Sequence, residues 1–326
     1  MAIRKLAISF VLGTAIGGIA SGSSVRAENY PTGPVTMIVP FASGGAVDAM
    51  GRMMSNALSV ATKQTFVVDN RPGAGGVPAM NEVAKSGSNG QILGVGSSGT
   101  LTISPHLFAK LNFDPLRDLE PIVCFGSSSM VLIAKADLPV KSLADLIALS
   151  KKSPGSINMA SAGTGSIIHL TGEYFQSVAG VKWTHVPYRG SAPALTDMIG
   201  GRVDVMTDSV PSAAPHVKSG ALKALAVTSG KRSADLPDVP TLKELGYDFD
   251  VDILYGLVAA KNTPKSTISL LNGILNESLK DKELIKRLAA TGFEPTGGTP
   301  ESCKARIKAD FDRWGVVIRQ SGVEVK

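Results

Sequence analysis

Short β-branched runs that alternate with runs of helical period predict an α/β protein with mostly parallel sheets. Two further observations support that class. Glycine- and serine-rich segments follow several of the predicted strands, as strand-to-helix loops do. A 27-residue N-terminal segment of different character is followed by 299 residues, a length suited to two domains of ordinary size.

The elements follow in order. Residues 35–39 are β-branched and apolar and are ended by Pro40. After residues 41–45, Val47, Met50, Met54, Ala57, Leu58 and Ala61 share one face at helical spacing. Residues 66–68 read as a second strand. Residues 70–76, Asn-Arg-Pro-Gly-Ala-Gly-Gly, read as a loop by composition. A short helix near 78–85 and a third strand at 92–95 follow. Residues 130–134 predict a strand, and Ser142 with Asp145 has the spacing of a capping box for a helix to about 151. Residues 157–160 predict a strand leading into the loop 161–166 and an amphipathic helix to about 179. Strands are predicted at 183–188, 203–206 and 222–227, with helices at 194–200 and 213–218 between them. The last third reads as helical, at about 265–280, 282–290 and 300–319.

The N-terminus has the layout of a secretory signal. Arg4 and Lys5 precede an apolar, small-residue stretch over 6–20, and Val25-Arg26-Ala27 offers a cleavage site after Ala27. The stretch is short for a membrane span of about 20 residues. Cleavage there removes three basic residues and no acidic one, which lowers the net charge from +6 to +3. No Lys/Arg run reaches five residues, so nucleic acid is not an expected partner. The two cysteines, Cys124 and Cys303, fit neither a metal spacing nor a disulfide framework. In an oxidising compartment they either pair or stand as separate buried thiols.

Three loops carry the candidate chemistry: 41–46, 96–100 and 161–166. Glycine lets backbone N–H groups approach a ligand, and a helix start carries unpaired N–H groups and partial positive charge. That combination suits a carboxylate or phosphate. The hydroxyls of Ser43, Ser98, Thr100, Ser161, Thr164 and Ser166 are candidate donors. His169, just past the third loop, is either a ligand contact or an ordinary surface or core histidine. Asp48 lies in the first turn of its helix, where an acid favours the dipole. Asp208 either faces the cleft or caps the following helix. Residues 94–99 match GxGxxG, but no long helical period follows them, so no dinucleotide cofactor is expected. No GxSxG, HExxH, CxxC or Walker A pattern occurs, and no metal site is expected.

From Tyr30 to the C-terminus the sequence resembles the Bug-type receptors, the extracytoplasmic solute-binding proteins of tripartite tricarboxylate transport systems. The resemblance rests on residues 39–48 (VPFASGGAVD), 69–76 (DNRPGAGG), 160–166 (ASAGTGS), 185–194 (HVPYRGSAPA) and 236–241 (LPDVPT). It implies a two-lobe, type II-like binding protein with a ligand cleft between the lobes. Lobe 1 would comprise 28–127 and 252–326, and lobe 2 would comprise 128–251, with crossing strands near 125–131 and 251–256. It further implies a monomer without a cofactor that captures a small carboxylate and passes it to membrane permease subunits. The resemblance implies ligand contacts from the loops 41–45 and 161–166 and from Asp208; with the residues read above, the expected ligand-binding set is Phe41, Ala42, Ser43, Gly44, Gly45, Asp48, Ser98, Thr100, Ser161, Ala162, Gly163, Thr164, Ser166, His169 and Asp208. The chain departs from the usual family pattern at Ser43, where Pro is common, at Ala46-Val47, where Ser-Thr is common, and at Thr207, where a large residue is common. A secreted hydrolase using a loop serine and a periplasmic sensory module are the competing expectations.

Overall fold

The computed structural model describes residues 30–321 apart from 42, 45, 109, 110, 189 and 291. The expected signal segment 1–27, Ala42, Gly45 and Arg189 therefore lie outside the described residues. The element order is β1 (Val35–Val39), α1 (Ala46–Thr62), β2 (Phe66–Asn70), α2 (Val77–Lys85), β3 (Ile92–Ser97), a π-helical turn (Gly99–Ile103), α3 (Ser104–Leu107), α4 (Pro115–Asp118), β4 (Leu119–Lys135), α5 (Leu143–Lys152), β5 (Asn158–Ser161), α6 (Ile167–Ala179), β6 (Thr184–Pro187), α7 (Ser191–Ile199), β7 (Val205–Ser209), α8 (Val210–Lys218), β8 (Leu222–Val227), β9 (Asp252–Ala260), α9 (Lys265–Ser278), α10 (Lys282–Ala290), β10 (Glu294–Pro295) and α11 (Pro300–Ser321).

Parallel pairing occurs in two groups of the strand–helix rhythm, whereas β8, which also follows a helix, pairs antiparallel with β4. β1 lies between β2 and β3, and β5 lies between β6 and β7, all parallel. The two parallel groups are joined by β4 and β9, which pair antiparallel with each other and with their neighbours β3, β7, β8 and β10. The strand path is β2-β1-β3-β9-β4-β7-β5-β6.

β4 is where the sheet changes hands. From Leu119 to Ser129 its partner is β9; from Met130 onward its partners are β7 and β8. The pairing with β9 is irregular, with register shifts at 121–123 and 124–126. Nearly all of this 17-residue strand is buried, so its near-continuous apolar run carries no alternating pattern to reveal its length. The same holds for β9, which reads Asp-Ile-Leu-Tyr-Gly-Leu-Val-Ala-Ala and is buried from Leu254 to Ala260. Composition reads the last third as helical, and β9 and the short β10 are the strands that this reading leaves out.

Three apolar clusters form the core. One surrounds β4 to β8, with Phe175, Trp183 and Phe249 among its members. The other two flank β1, β3 and β9 on opposite faces. α11 contributes to both ends of the molecule. Cys303 and Ile307 pack beside Ile38, Met80 and Val258, whereas Trp314, Val317 and Ile318 join the cluster around β4 to β8. Cys124 of β4 and Cys303 of α11 form a disulfide that closes a sequence separation of 179 residues. Of the two possibilities open to the sequence, the fold selects pairing.

Candidate functional site

A cavity of about 660 Å³ opens at the carboxyl ends of β1, β3 and β5, the edge of a parallel sheet where ligands bind. Phe41 and Val47 enter it from the β1 side. Ser97, Gly99, Ser104, Leu107 and Phe108 enter from the β3 side, and residues 162–167 from the β5 side. Gly75 of the predicted 70–76 loop and Ile253 and Tyr255 of β9 complete the wall. Gly76 next to it has φ +81, and a Cβ there would lie 2.6 Å from Thr100 Cγ2 and 2.7 Å from Pro40 Cβ. Only glycine lets these loops meet.

The 162–166 loop is held by its own hydrogen bonds. Ser166 caps α6: its Oγ accepts from His169 N at 3.2 Å and donates to Gly163 O at 2.7 Å. Gly163 N donates to Ser161 Oγ at 3.1 Å, and Gly165, at φ +77, donates its N–H to His169 Nδ1 at 3.1 Å. Among the described residues no protein acceptor takes the N–H groups of Thr164, Ile167 and Ile168. The first turn of α6 carries no acidic side chain. The positive end of a 13-residue helix therefore meets the cavity with free donors, the condition for holding an anion.

The described sequence-predicted residues fall into three groups. Phe41, Ala162, Gly163, Thr164 and Ser166 line the cavity; Ser43 and Gly44 sit exposed on the loop beside Phe41. Asp48, Ser98, Thr100, Ser161, His169 and Asp208 are buried and bond to protein instead. Asp48 accepts from Gly44 N at 2.9 Å, Arg52 Nε at 2.9 Å and Asn70 Nδ2 at 3.0 Å. Burial pushes its carboxyl up, but the bonds from Arg52, Gly44 and Asn70 outweigh burial and hold it below its ordinary pKa. Ser98 Oγ accepts from Leu254 N at 2.9 Å, and Thr100 Oγ1 bonds the backbone of Ser97. The spacing in the 96–100 loop thus places Ser97 and Gly99 at the cavity and their neighbours inside. Asp208 accepts from Ser191 Oγ and from Ser209 N at 2.8 Å; burial raises its pKa despite these bonds. Thr207 gives its hydroxyl to Ile168 O at 2.6 Å, so the departure at this position supports the start of α6.

Behind the loop stand two stacked imidazoles. The rings of His169 and His185 lie 3.7 Å apart at 16°. Glu173 Oε1 is 3.5 Å from His169 Nε2. Ser161 Oγ is 2.7 Å from His185 Nε2. Because that oxygen already accepts from Gly163 N, its proton is free for the imidazole. The distance suits a nucleophile and base, but Ser161 is fully buried and no substrate reaches it in this arrangement.

Arg71 of the 70–76 loop is paired with Asp69 and Glu82 and does not line the cavity. A second cavity, of about 520 Å³, lies on the opposite face of the crossing strands, where Asp252 alternates with Ile253 and Tyr255. Most of its charged groups are paired, Lys231 with Glu294 at 2.6 Å, Arg306 with Asp252 at 2.6 Å and Arg313 with Asp310 at 3.0 Å, whereas Lys243 and Asp250 line it outside these pairs. The described residues contain no cluster of three or more His, Cys, Asp or Glu suited to a metal.

The model of the tripartite tricarboxylate transporter family receptor matches residues 50–323. The chain belongs to that family. The receptor is similar to protein BugT of Bordetella pertussis, with 37% identity over 318 residues that cover 97% of this chain and 98% of BugT. Among solved structures it is similar to an R. palustris protein with adipate, at 33% identity and a TM-score of 0.79 over 90% of this chain and 99% of that one. It is also similar to MatC from Rhodopseudomonas palustris with bound malate, at 30% identity and a TM-score of 0.75 over 89% and 100%. The receptor thus has the two-lobe binding-protein fold and belongs to a family of periplasmic solute-binding proteins, not enzymes. No helix among its described residues is long and apolar enough to cross a membrane.

Proposed function

We propose that this receptor captures a small carboxylate in the 660 Å³ cavity and delivers it to the membrane permease subunits of a tripartite transporter. The observation that carries the reading is the set of free N–H groups at the start of α6, those of Thr164 and Ile167 at the cavity wall and that of Ile168 next to it. Each hydrogen bond to a charged group contributes roughly 1.5–3 kcal/mol. Several of them supply most of the roughly 8 kcal/mol that micromolar binding needs. Phe41, Ala42, Ser43, Gly44 and Gly45 would close over the ligand from the other side. Asp48, Ser98, Thr100, Ser161, His169 and Asp208 would act by holding those loops. The adipate and malate named for the two solved relatives support a carboxylate as ligand.

In this reading the chain is exported by residues 1–27, cleaved after Ala27, and works as a monomer in the periplasm. The lobes are 28–127 with 252–326, and 128–251. The change of β4 partners at Ser129 and Met130 supports a hinge near those boundaries. Calorimetric titration of purified protein with mono-, di-, tri- and aromatic carboxylates tests the function. Micromolar binding of one class, with the acid recovered unchanged, is the expected result. Turnover of an ester or amide, or the absence of binding by every acid, would sink it.

A further inference from the structure

Resting on that reading, we infer that the ligand is a monocarboxylic acid with an apolar body, gripped by its carboxylate at the start of α6. Among the described residues the cavity wall is suited to a single anion. Among its described lining residues there is no Lys, Arg, His, Asp or Glu. The start of α6 offers the three free N–H groups of Thr164, Ile167 and Ile168, which is one carboxylate's complement of donors. The start of α1 is different. Its positive end is met by the receptor's own Asp48 carboxylate, 3% exposed and already bonded to Gly44, Arg52 and Asn70. A second ligand carboxylate there would face a like charge and no free cation.

The rest of the wall is mainly apolar, with Phe41, Val47, Leu107, Phe108, Ile167, Ile253 and Tyr255, beside the neutral hydroxyls of Ser97 and Ser104. Burying a second carboxylate against such groups without a counter-charge is unfavourable, whereas a ring or branched chain gains by removing apolar area from water. Tyr255 adds a polar group deep in the wall. It is 3% exposed and lines the cavity, its ring packs edge-on against Phe293 at 5.0 Å, and no described group bonds its hydroxyl. Burial also raises its pKa, which keeps the hydroxyl protonated as a neutral donor. A ligand with one acceptor far from the carboxylate, such as a ring hydroxyl or carbonyl, fits that position.

The test is a calorimetric panel on purified, refolded protein under oxidising conditions. The probes are benzoate, phenylacetate, 4-hydroxyphenylacetate, 2-oxo-3-methylbutanoate, malate, adipate, citrate and the neutral phenylacetamide. At least one aromatic or branched monocarboxylate is expected to bind tenfold or more tighter than every di- and tricarboxylate, with phenylacetamide at least a hundredfold weaker than phenylacetate. Tyr255→Phe should weaken 4-hydroxyphenylacetate by about tenfold while leaving phenylacetate within threefold. Leu107→Arg should reverse the order toward adipate. If malate, adipate or citrate binds the unaltered protein as tightly as any monocarboxylate, this inference fails and the carboxylate reading survives. If no acid binds, both fail.

Discussion

Burial of the His185 ring, together with its neighbour His169, holds the imidazole down to about 4, while Glu173 pulls weakly the other way. The physical sign is definite. A histidine whose folded pKa is depressed favours the neutral form, so its contribution is present above its ordinary pKa of 6.5 and is lost as the pH falls toward 4. A tenfold change in proton affinity corresponds to about 1.4 kcal/mol. Solvent screening at the partly exposed ring brings the expected loss to about 2 kcal/mol. His185→Gln, which keeps an acceptor for Ser161, should flatten this slope. Urea midpoints for both proteins at pH 7.5 and 4.5 check it; parallel slopes would refute it. Single residues of this kind are partly legible in the sequence. Loop composition points to Thr164 and Ser166, and both line the cavity. The same argument points to Ser98 and Thr100, which are buried, because composition does not tell which hydroxyl of a tight turn faces outward.

At the scale of elements, α6 and the loop before it are the working part. Ser166 joins the cap of α6 to the loop through two bonds from one oxygen. Ser166→Ala should lower stability by about 1 kcal/mol, the usual effect of losing an N-cap. It should weaken the best-binding carboxylate about tenfold by releasing Gly163. Thermal melting and titration measure the two effects separately, and an unchanged affinity would show that the cap does not order the donors. The existence of helices and strands is readable in the sequence almost throughout. The capping box at Ser142 and Asp145 forms as its spacing predicts, since that signal is local. β9 and the first half of β4 are not readable from composition, because strands buried on both faces lose their period-two pattern. The family resemblance, not the pattern, places crossing strands there.

For the whole molecule, the disulfide between β4 and α11 is the covalent link between distant segments. It closes 179 residues of chain, a loop length at which cross-linking stabilises by about 3–5 kcal/mol through the unfolded state. Cys124→Ala with Cys303→Ala, or reduction, should lower the urea midpoint accordingly. Neither cysteine lines the ligand cavity, so affinity should stay within threefold. A lost affinity with retained stability would contradict this account.

The sequence by itself determined the α/β class, most element positions, the three glycine-rich loops and the family, because each depends on local spacing or on ordered motifs along the chain. Only the tertiary structure decided that Cys124 pairs with Cys303 and that Asp48, His169 and Asp208 are bonded inward. It alone brought Leu107, Phe108, Ile253 and Tyr255 to the cavity wall. Those outcomes depend on which buried faces meet between segments far apart in the chain. No local pattern encodes which neighbour will meet a given side chain.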